Sequence, residues 1–248
     1  MYTYPRPLHT GTFVRRYKRF LSDIIFEQET LPTVVHCANS GSMKSCILEG
    51  ARAYTLDSLN PTRKLQHTLE LIELEDGLCC LNTQRANDCA HAFLEAHRGG
   101  IFPDGKDSIL KREAAFDAHT RFDFCLTSTN ENNSAQKRCW VEVKSVSLKL
   151  DAQTLAFPDA VTVRGQKHLQ ELAHAKQNGD EAWLLFVIMR STQMDVKTIV
   201  SHFRVAYEID PDYATQYKLA LSQNVRVGLL FPHITTTGFT FKHFEVLS

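Results

Sequence analysis

The stretch "AWLLFVIMR", from Ala182 to Arg190, is apolar at every position but the last. It is too short for a membrane-spanning helix and matches the length of a strand. A strand points successive side chains to opposite faces, so an uninterrupted apolar strand is buried on both. Such a strand belongs inside a sheet covered by helices on each side, which predicts an α/β architecture for this part of the chain.

The neighbouring segments supply the cover. "GQKHLQELAHAKQNG" precedes it with Leu169 and Leu172 on one helical stripe, and Asn178-Gly179 closes the helix. Before that come two strands, "RFDFCL" (121–126) and "CWVEVKSVSL" (139–148), separated by the polar loop "TSTNENNSAQKR". Strand, helix, strand is a crossover unit, and "DYATQYKLALSQN" followed by "VRVGLLF" repeats the order, so the sheet is expected to be mixed.

The first part reads differently. "TFVRRYKRFLSDIIF", "LPTVVHC" and "HTLELIELE" read as short strands, with turn chemistry at "NSGSM" and "NPTRK". Many short strands in fewer than ninety residues suggest a small barrel such as an OB-fold. The pattern changes at "QRANDCAHAFLEAHRGG", read as a helix stopping at Gly99-Gly100. The expected boundary falls near Gln84, giving domains 1–84 and 85–248.

Charge and cysteine usage narrow the function classes. Lys+Arg and Asp+Glu both number 28, so the global balance names no partner. Residues 1–70 hold nine Lys/Arg against six Asp/Glu, and Arg15, Arg16, Lys18 and Arg19 crowd into five positions. A solvated face is the commoner meaning of such a cluster; a footprint for phosphates is the other. No apolar run or signal-like N-terminus points to a membrane or to export. Seven cysteines, an odd number with no C-x-x-C pair, are expected as unpaired thiols in the cytoplasm.

In "CWVEVKSVSL" the side carrying Val141 and Val143 reads as core, while Trp140, Glu142 and Lys144 share the other side. E-V-K on a strand is most often an exposed ion pair. If the two strands pair antiparallel, however, Asp123 meets Glu142 and Lys144 at one end of the sheet. Two carboxylates can hold a hard divalent cation, and the lysine can orient water or steady developing charge, as phosphodiester hydrolysis requires. Downstream, "FPDAVTVRGQKHLQEL" places Arg164 and His168 four apart on one helix face, either exposed or aimed at the same site.

The segments "RRYKRFL", "VHCANSGSM", "NPTRKL", "NTQRAN", "RFDF", "VEVKSVSL", "FPDAVTVRGQKHLQEL" and "EIDPDYA" together resemble the sugar fermentation stimulation protein A (SfsA) family, in family order from residue 15 to residue 214. The resemblance implies an N-terminal OB-like barrel followed by a PD-(D/E)xK nuclease-like α/β domain. It implies an acidic site at Asp123 and Glu142 with Lys144, a further candidate carboxylate at Glu113, and Arg164 and His168 beside them. Expected nucleic-acid contacts are Arg15, Arg16, Lys18 and Arg19, with Asn39, Arg63 and Lys64 in the family segments. Ala38, Leu69, Asp88 and Val205 depart from the family pattern; at Leu69 a usual tryptophan, able to stack on a base, is missing.

Two functions are therefore expected from different classes. One is a non-specific DNA-binding protein, with a regulatory role in sugar (maltose) metabolism implied by the resemblance. The other is a Mg²⁺- or Mn²⁺-dependent nuclease acting on DNA or RNA. The full Asp–Glu–Lys set favours the second, because binding alone has no evident need of converging carboxylates. The family's description favours the first, and DNA binding is the expected main function, with hydrolysis as the alternative.

Overall fold

The computed structural model describes residues 2–102, 104–129 and 137–247. The middle of the polar loop, 130–136, lies outside the described residues. The first strands are β1 (Tyr2–Thr3), β2 (His9–Tyr17), β3 (Leu21–Phe26), β4 (Thr33–Cys37), β5 (Arg52–Asp57), β6 (His67–Leu74) and β7 (Gly77–Cys80). Then follow α1 (Gln84–Ile101), β8 (Ser108–Ala115), β9 (Arg121–Ser128), β10 (Arg138–Val146), β11 (Leu148–Lys149), β12 (Leu155–Phe157) and α2 (Val163–Gln177). The chain ends with β13 (Glu181–Ile188), α3 (Val196–His202), β14 (Arg204–Val205), α4 (Pro211–Ser222), β15 (Arg226–Thr235) and β16 (Gly238–Leu247).

Strands β2 to β6 form a five-stranded barrel in the order β4-β3-β2-β5-β6, closed by a parallel pairing of β4 with β6. Its interior holds Phe13, Ile24, Val35, Ala53, Leu69 and Ile72. Leu69 is fully buried there, so this departure from the family pattern changes barrel packing and not a base-stacking surface. The segment "TFVRRYKRFLSDIIF" is two strands, not one. Lys18 (φ 47°) and Arg19 (φ 64°) take left-handed conformations that end β2 and turn the chain into β3.

The second sheet runs β1-β16-β15-β13-β10-β9-β8. Strands β10, β13 and β15 are parallel to one another and the outer strands antiparallel, so the sheet is mixed. β13 is covered on both faces: Trp183, Leu185 and Val187 pack with α1, while Leu184, Phe186 and Ile188 pack with the side of α2 and α4. The Gly99-Gly100 stop comes early, because α1 continues to Ile101 past a non-helical His97. β1 pairs with β16, so the first residues of the chain lie in this sheet and not in the barrel.

The two units share a seam. Cys80 N–H donates to Met189 O (2.8 Å) and Ser191 N–H to Leu78 O (2.7 Å), so β7 continues its pairing onto the residues after β13. A buried ion pair, Arg190 with Asp76 at 3.1 Å, crosses the same seam. All seven cysteines are free and buried. Among the described residues no helix is long and apolar enough to cross a membrane.

Candidate functional site

β10 lies between β9 and β13, and its alternation feeds two cores. Val141 and Val143 pack on the α1 side and Trp140 on the α2 side. The expectation of one core face and one charged face is thus corrected: both faces are covered. Glu142 shares Trp140's side, is 3% exposed, and meets α2. A solvated ion pair is incompatible with that burial.

Glu142 Oε1 accepts from Lys144 Nζ at 2.5 Å and also contacts His168 Nδ1. Arg164 Nε lies 3.4 Å from His168 Nε2. One tautomer satisfies both contacts: Nδ1–H donates to Glu142 and Nε2 accepts from Arg164. Burial would push the Glu142 carboxyl up, but the Lys144 charge and the His168 contact outweigh it and hold it below its ordinary value. The second oxygen, Oε2, is buried with no hydrogen-bond partner. An unpaired buried carboxylate oxygen costs about 1–3 kcal/mol or more.

Asp123 arrives from β9. The β9–β10 ladder ends at Phe124–Val141, one step short of Asp123 and Glu142. Beyond it, Val143 N–H donates to Asp123 Oδ2 at 2.8 Å, so a side chain takes over where the ladder stops. Asn87 Nδ2, from the first turn of α1, donates to Oδ1 at 2.7 Å. Phe122 and Phe124 enter opposite cores although two residues apart, so the strand switches faces at Asp123. Burial, with the Glu142 charge adding to it, pushes the Asp123 carboxyl up to about 6 despite the pull of Val143, Lys144 and Asn87.

These side chains line a polar cleft of about 420 Å³ between the barrel and the second sheet. Asp123, Glu142 and Lys144 lie on one side, and Arg19, Asn39 and Gly41 come from the barrel. Thr83 and Asn87 bring the N-terminal end of α1 to it, and Thr162 and Arg164 bring that of α2. The lining thus sets the cations Arg19, Lys144 and Arg164 and two helix N-termini against the carboxylates Asp123, Glu142 and Asp159.

The remaining expected residues are spread more widely. Arg15 Nε pairs with Asp23 at 2.8 Å. Arg16 donates to the carbonyls of Asn39 (2.7 Å), Gly41 (2.9 Å) and Arg19 (2.8 Å), so it builds the barrel wall of the cleft. Asn39 is buried, its Nδ2 donating to Leu81 O (3.1 Å) and its Oδ1 accepting from Gly41 N–H (2.8 Å). Lys18 is in the turn, outside the cleft lining, while Arg63 and Lys64 are exposed elsewhere on the barrel. Glu113 sits across from Asp123 between the pairs Arg112–Phe124 and Ala114–Phe122, in a left-handed conformation (φ 47°). It is exposed and does not line the cleft.

Sequence reasoning missed Asn87 and Asp159. Asn87 shows only as a polar residue in the opening turn of a helix. Asp159 Oδ2 accepts from Met43 N–H at 3.0 Å, and a Cβ on Gly41 would fall 2.3 Å from its carboxylate, so only glycine fits the contact. Nothing local in "FPDAV" announces a partner 116 residues away.

The fold and site define a two-domain protein, an OB barrel joined to an α/β domain, with an Asp–Glu–Lys group at the seam. Residues 14–81 match the family model "SfsA N-terminal OB domain" and residues 84–238 match "Sugar fermentation stimulation protein RE domain". The chain belongs to the sugar fermentation stimulation protein family. A relative from Magnetococcus marinus described as a sugar fermentation stimulation protein homolog is 41% identical, over 95% of this chain and 94% of the relative. One from Shewanella woodyi is 39% identical, over 88% and 87%. The solved structure of Pyrococcus furiosus SfsA in complex with Ca²⁺ superposes with a TM-score of 0.75, at 21% identity over 99% of this chain and 95% of that one.

Proposed function

We propose that this chain binds nucleic acid across the seam cleft, holds a divalent cation there on Asp123 and Glu142, and hydrolyses the phosphodiester backbone. The observation that carries the reading is the pairing of an unpartnered, buried Glu142 Oε2 with an Asp123 carboxyl pushed up to about 6. Both are costly in the protein by itself, and a cation would relieve both.

The residues fit such a group. Mg²⁺ and Mn²⁺ favour oxygen ligands, and Mg²⁺ keeps several waters beside one or two carboxylates, so a two-carboxylate site suffices. Among the described residues no group of three or more His, Cys, Asp and Glu side chains is placed to hold a metal. The Pyrococcus furiosus relative was solved with Ca²⁺, which prefers the same oxygen ligands. When bound, the cation would polarise a phosphate and lower the pKa of a water.

The chain's own groups do the rest. Val143 N–H and Asn87 hold the Asp123 carboxylate in one orientation. His168 and Lys144 occupy Glu142 Oε1 and leave the buried Oε2 without a hydrogen-bond partner. Lys144 Nζ, with its side chain 12% exposed, can orient an attacking water or steady a developing phosphorane charge. Arg19 and Arg164 supply sequence-tolerant phosphate contacts from opposite walls.

A second reading, DNA binding without cleavage and a regulatory role in sugar metabolism, is favoured by the Lys144–Glu142 contact, which engages the lysine in an ion pair. Incubating pure protein with plasmid, single-stranded DNA and RNA, with EDTA, Mg²⁺ or Mn²⁺, separates the two. Metal-dependent products from the native chain that vanish in Lys144→Ala support hydrolysis. Binding with no products under any metal leaves the regulatory reading.

A further inference from the structure

Resting on the nucleic-acid reading above, we infer that the cleft takes an unpaired strand, and that Phe20 and the Val161/Val163 pair form a platform for its bases. Glu142 is 3% exposed and Asp123 lies beside it, so a phosphate must enter the cleft to meet them. The cleft, at about 420 Å³, is the size of a small-ligand pocket, and the barrel bounds one side of it. A backbone still paired in a duplex brings its complementary strand with it, and a cleft bounded by the barrel on one side leaves less room for two strands than for one. A single strand carries no such partner.

The rim fits the bases such a strand exposes. Phe20 is 45% exposed and follows Arg19 in the turn between β2 and β3. Across the cleft, Val161 and Val163 are 66% and 72% exposed and flank the start of α2, next to Arg164. Each wall therefore joins a cation lining the cleft to an apolar side chain left in solvent. Paired duplex bases face one another and offer such groups no flat surface, whereas unpaired bases stack on apolar and aromatic side chains in any sequence. Single exposed apolar residues are ordinary on a surface. Here Val161 lines the cleft itself, and Phe20 and Val163 are the chain neighbours of the lining cations Arg19 and Arg164.

The test is fluorescence anisotropy on the full native chain, in EDTA and with Ca²⁺. The probes are a fluorescein-labelled thymidine 20-mer and a blunt duplex of equal length, each checked on a gel for intactness afterwards. Binding of the single strand at least ten-fold tighter than the duplex is expected. Phe20→Ala should weaken single-strand binding about ten-fold, with the salt slope unchanged, because it removes stacking and no charge. Phe20→Tyr should restore it. Arg19→Ala should instead flatten the salt slope. Equal or tighter binding of the duplex, or indifference to Phe20→Ala, overturns this inference while leaving the nucleic-acid reading intact. Failure to bind either probe in either condition overturns both.

Discussion

Replacing Asp123 by asparagine isolates the cost of the converging carboxylates. In the folded chain this carboxyl is pushed from 3.8 up to about 6, chiefly by burial and then by Glu142. A folded pKa above the unfolded one means that the folded state holds its proton more tightly. Stability should therefore fall as pH rises from about 4 to about 6 and stay reduced above that. At 1.36 kcal/mol per pKa unit, the rise corresponds to about 3 kcal/mol. The neutral amide of Asp123→Asn carries no such cost. Its oxygen can still accept from Val143 N–H, and Asn87 can turn its own amide to present an oxygen. Urea unfolding of both proteins in EDTA, from pH 4.5 to 7.5, measures the difference, in which the other carboxylates largely cancel. Asp123→Asn should gain on the native protein by up to about 3 kcal/mol across that range, or roughly 6–12 °C in Tm for a chain of this size. Mg²⁺ at a hundred times its Kd should return about 2.7 kcal/mol to the native protein and none to the variant. A difference that stays flat with pH, or a variant less stable than the native chain at pH 7.5 without metal, would refute the reasoning.

Glu142→Gln should abolish the Mg²⁺-induced rise in Tm, and Lys144→Ala should keep most of it while removing any cleavage, as read by differential scanning fluorimetry and a gel assay. Arg16→Ala should lower stability by about 1–3 kcal/mol, because the carbonyls of Asn39, Gly41 and Arg19 lose their donor; Arg19→Ala should leave Tm unchanged. Thiol titration should count seven groups in the denatured, unreduced protein and almost none in the native one, since every cysteine is free and buried; fewer than seven would mean oxidation.

Legibility followed the range of the physics. The apolar run at 182–190 announced a strand buried on both faces because alternation is local, and Leu169 and Leu172 did the same for α2. The E-V-K triplet placed Glu142 and Lys144 on one face, and the helix spacing of Arg164 and His168 brought His168 to Glu142 and Arg164 to His168. The left-handed turn at Lys18 and Arg19 stayed hidden, because two cations between aromatic residues look like strand, and nothing in their chemistry demands positive φ. The different tasks of the four basic residues were equally unreadable. Arg16 becomes a structural donor only because the 39–42 loop folds back beneath it, and that contact spans more than twenty residues. Asn87 and Asp159 belong to the same class: their partners lie 36 and 116 positions away.

The site is assembled by both units, and this links the barrel to the two carboxylates of the cleft. Arg16 holds the 39–42 loop from β2 of the barrel, and the N–H of Met43, next in the chain, donates to Asp159 at 3.0 Å. Asp159 follows directly on β12 and Pro158, three residues before Thr162, the N-cap of α2. From there α2 carries Arg164 and His168, and His168 meets Glu142. On the other wall the buried pair of Glu70 and Arg85 (2.8 Å) ties β6 of the barrel to the first turn of α1, from which Asn87 orients Asp123. Each carboxylate is thus reached from the barrel by a separate chain of hydrogen bonds and ion pairs. A barrel displaced from the seam would take with it the Met43–Asp159 and Glu70–Arg85 contacts, and so loosen the starts of α1 and α2 that carry the supports of Asp123 and Glu142.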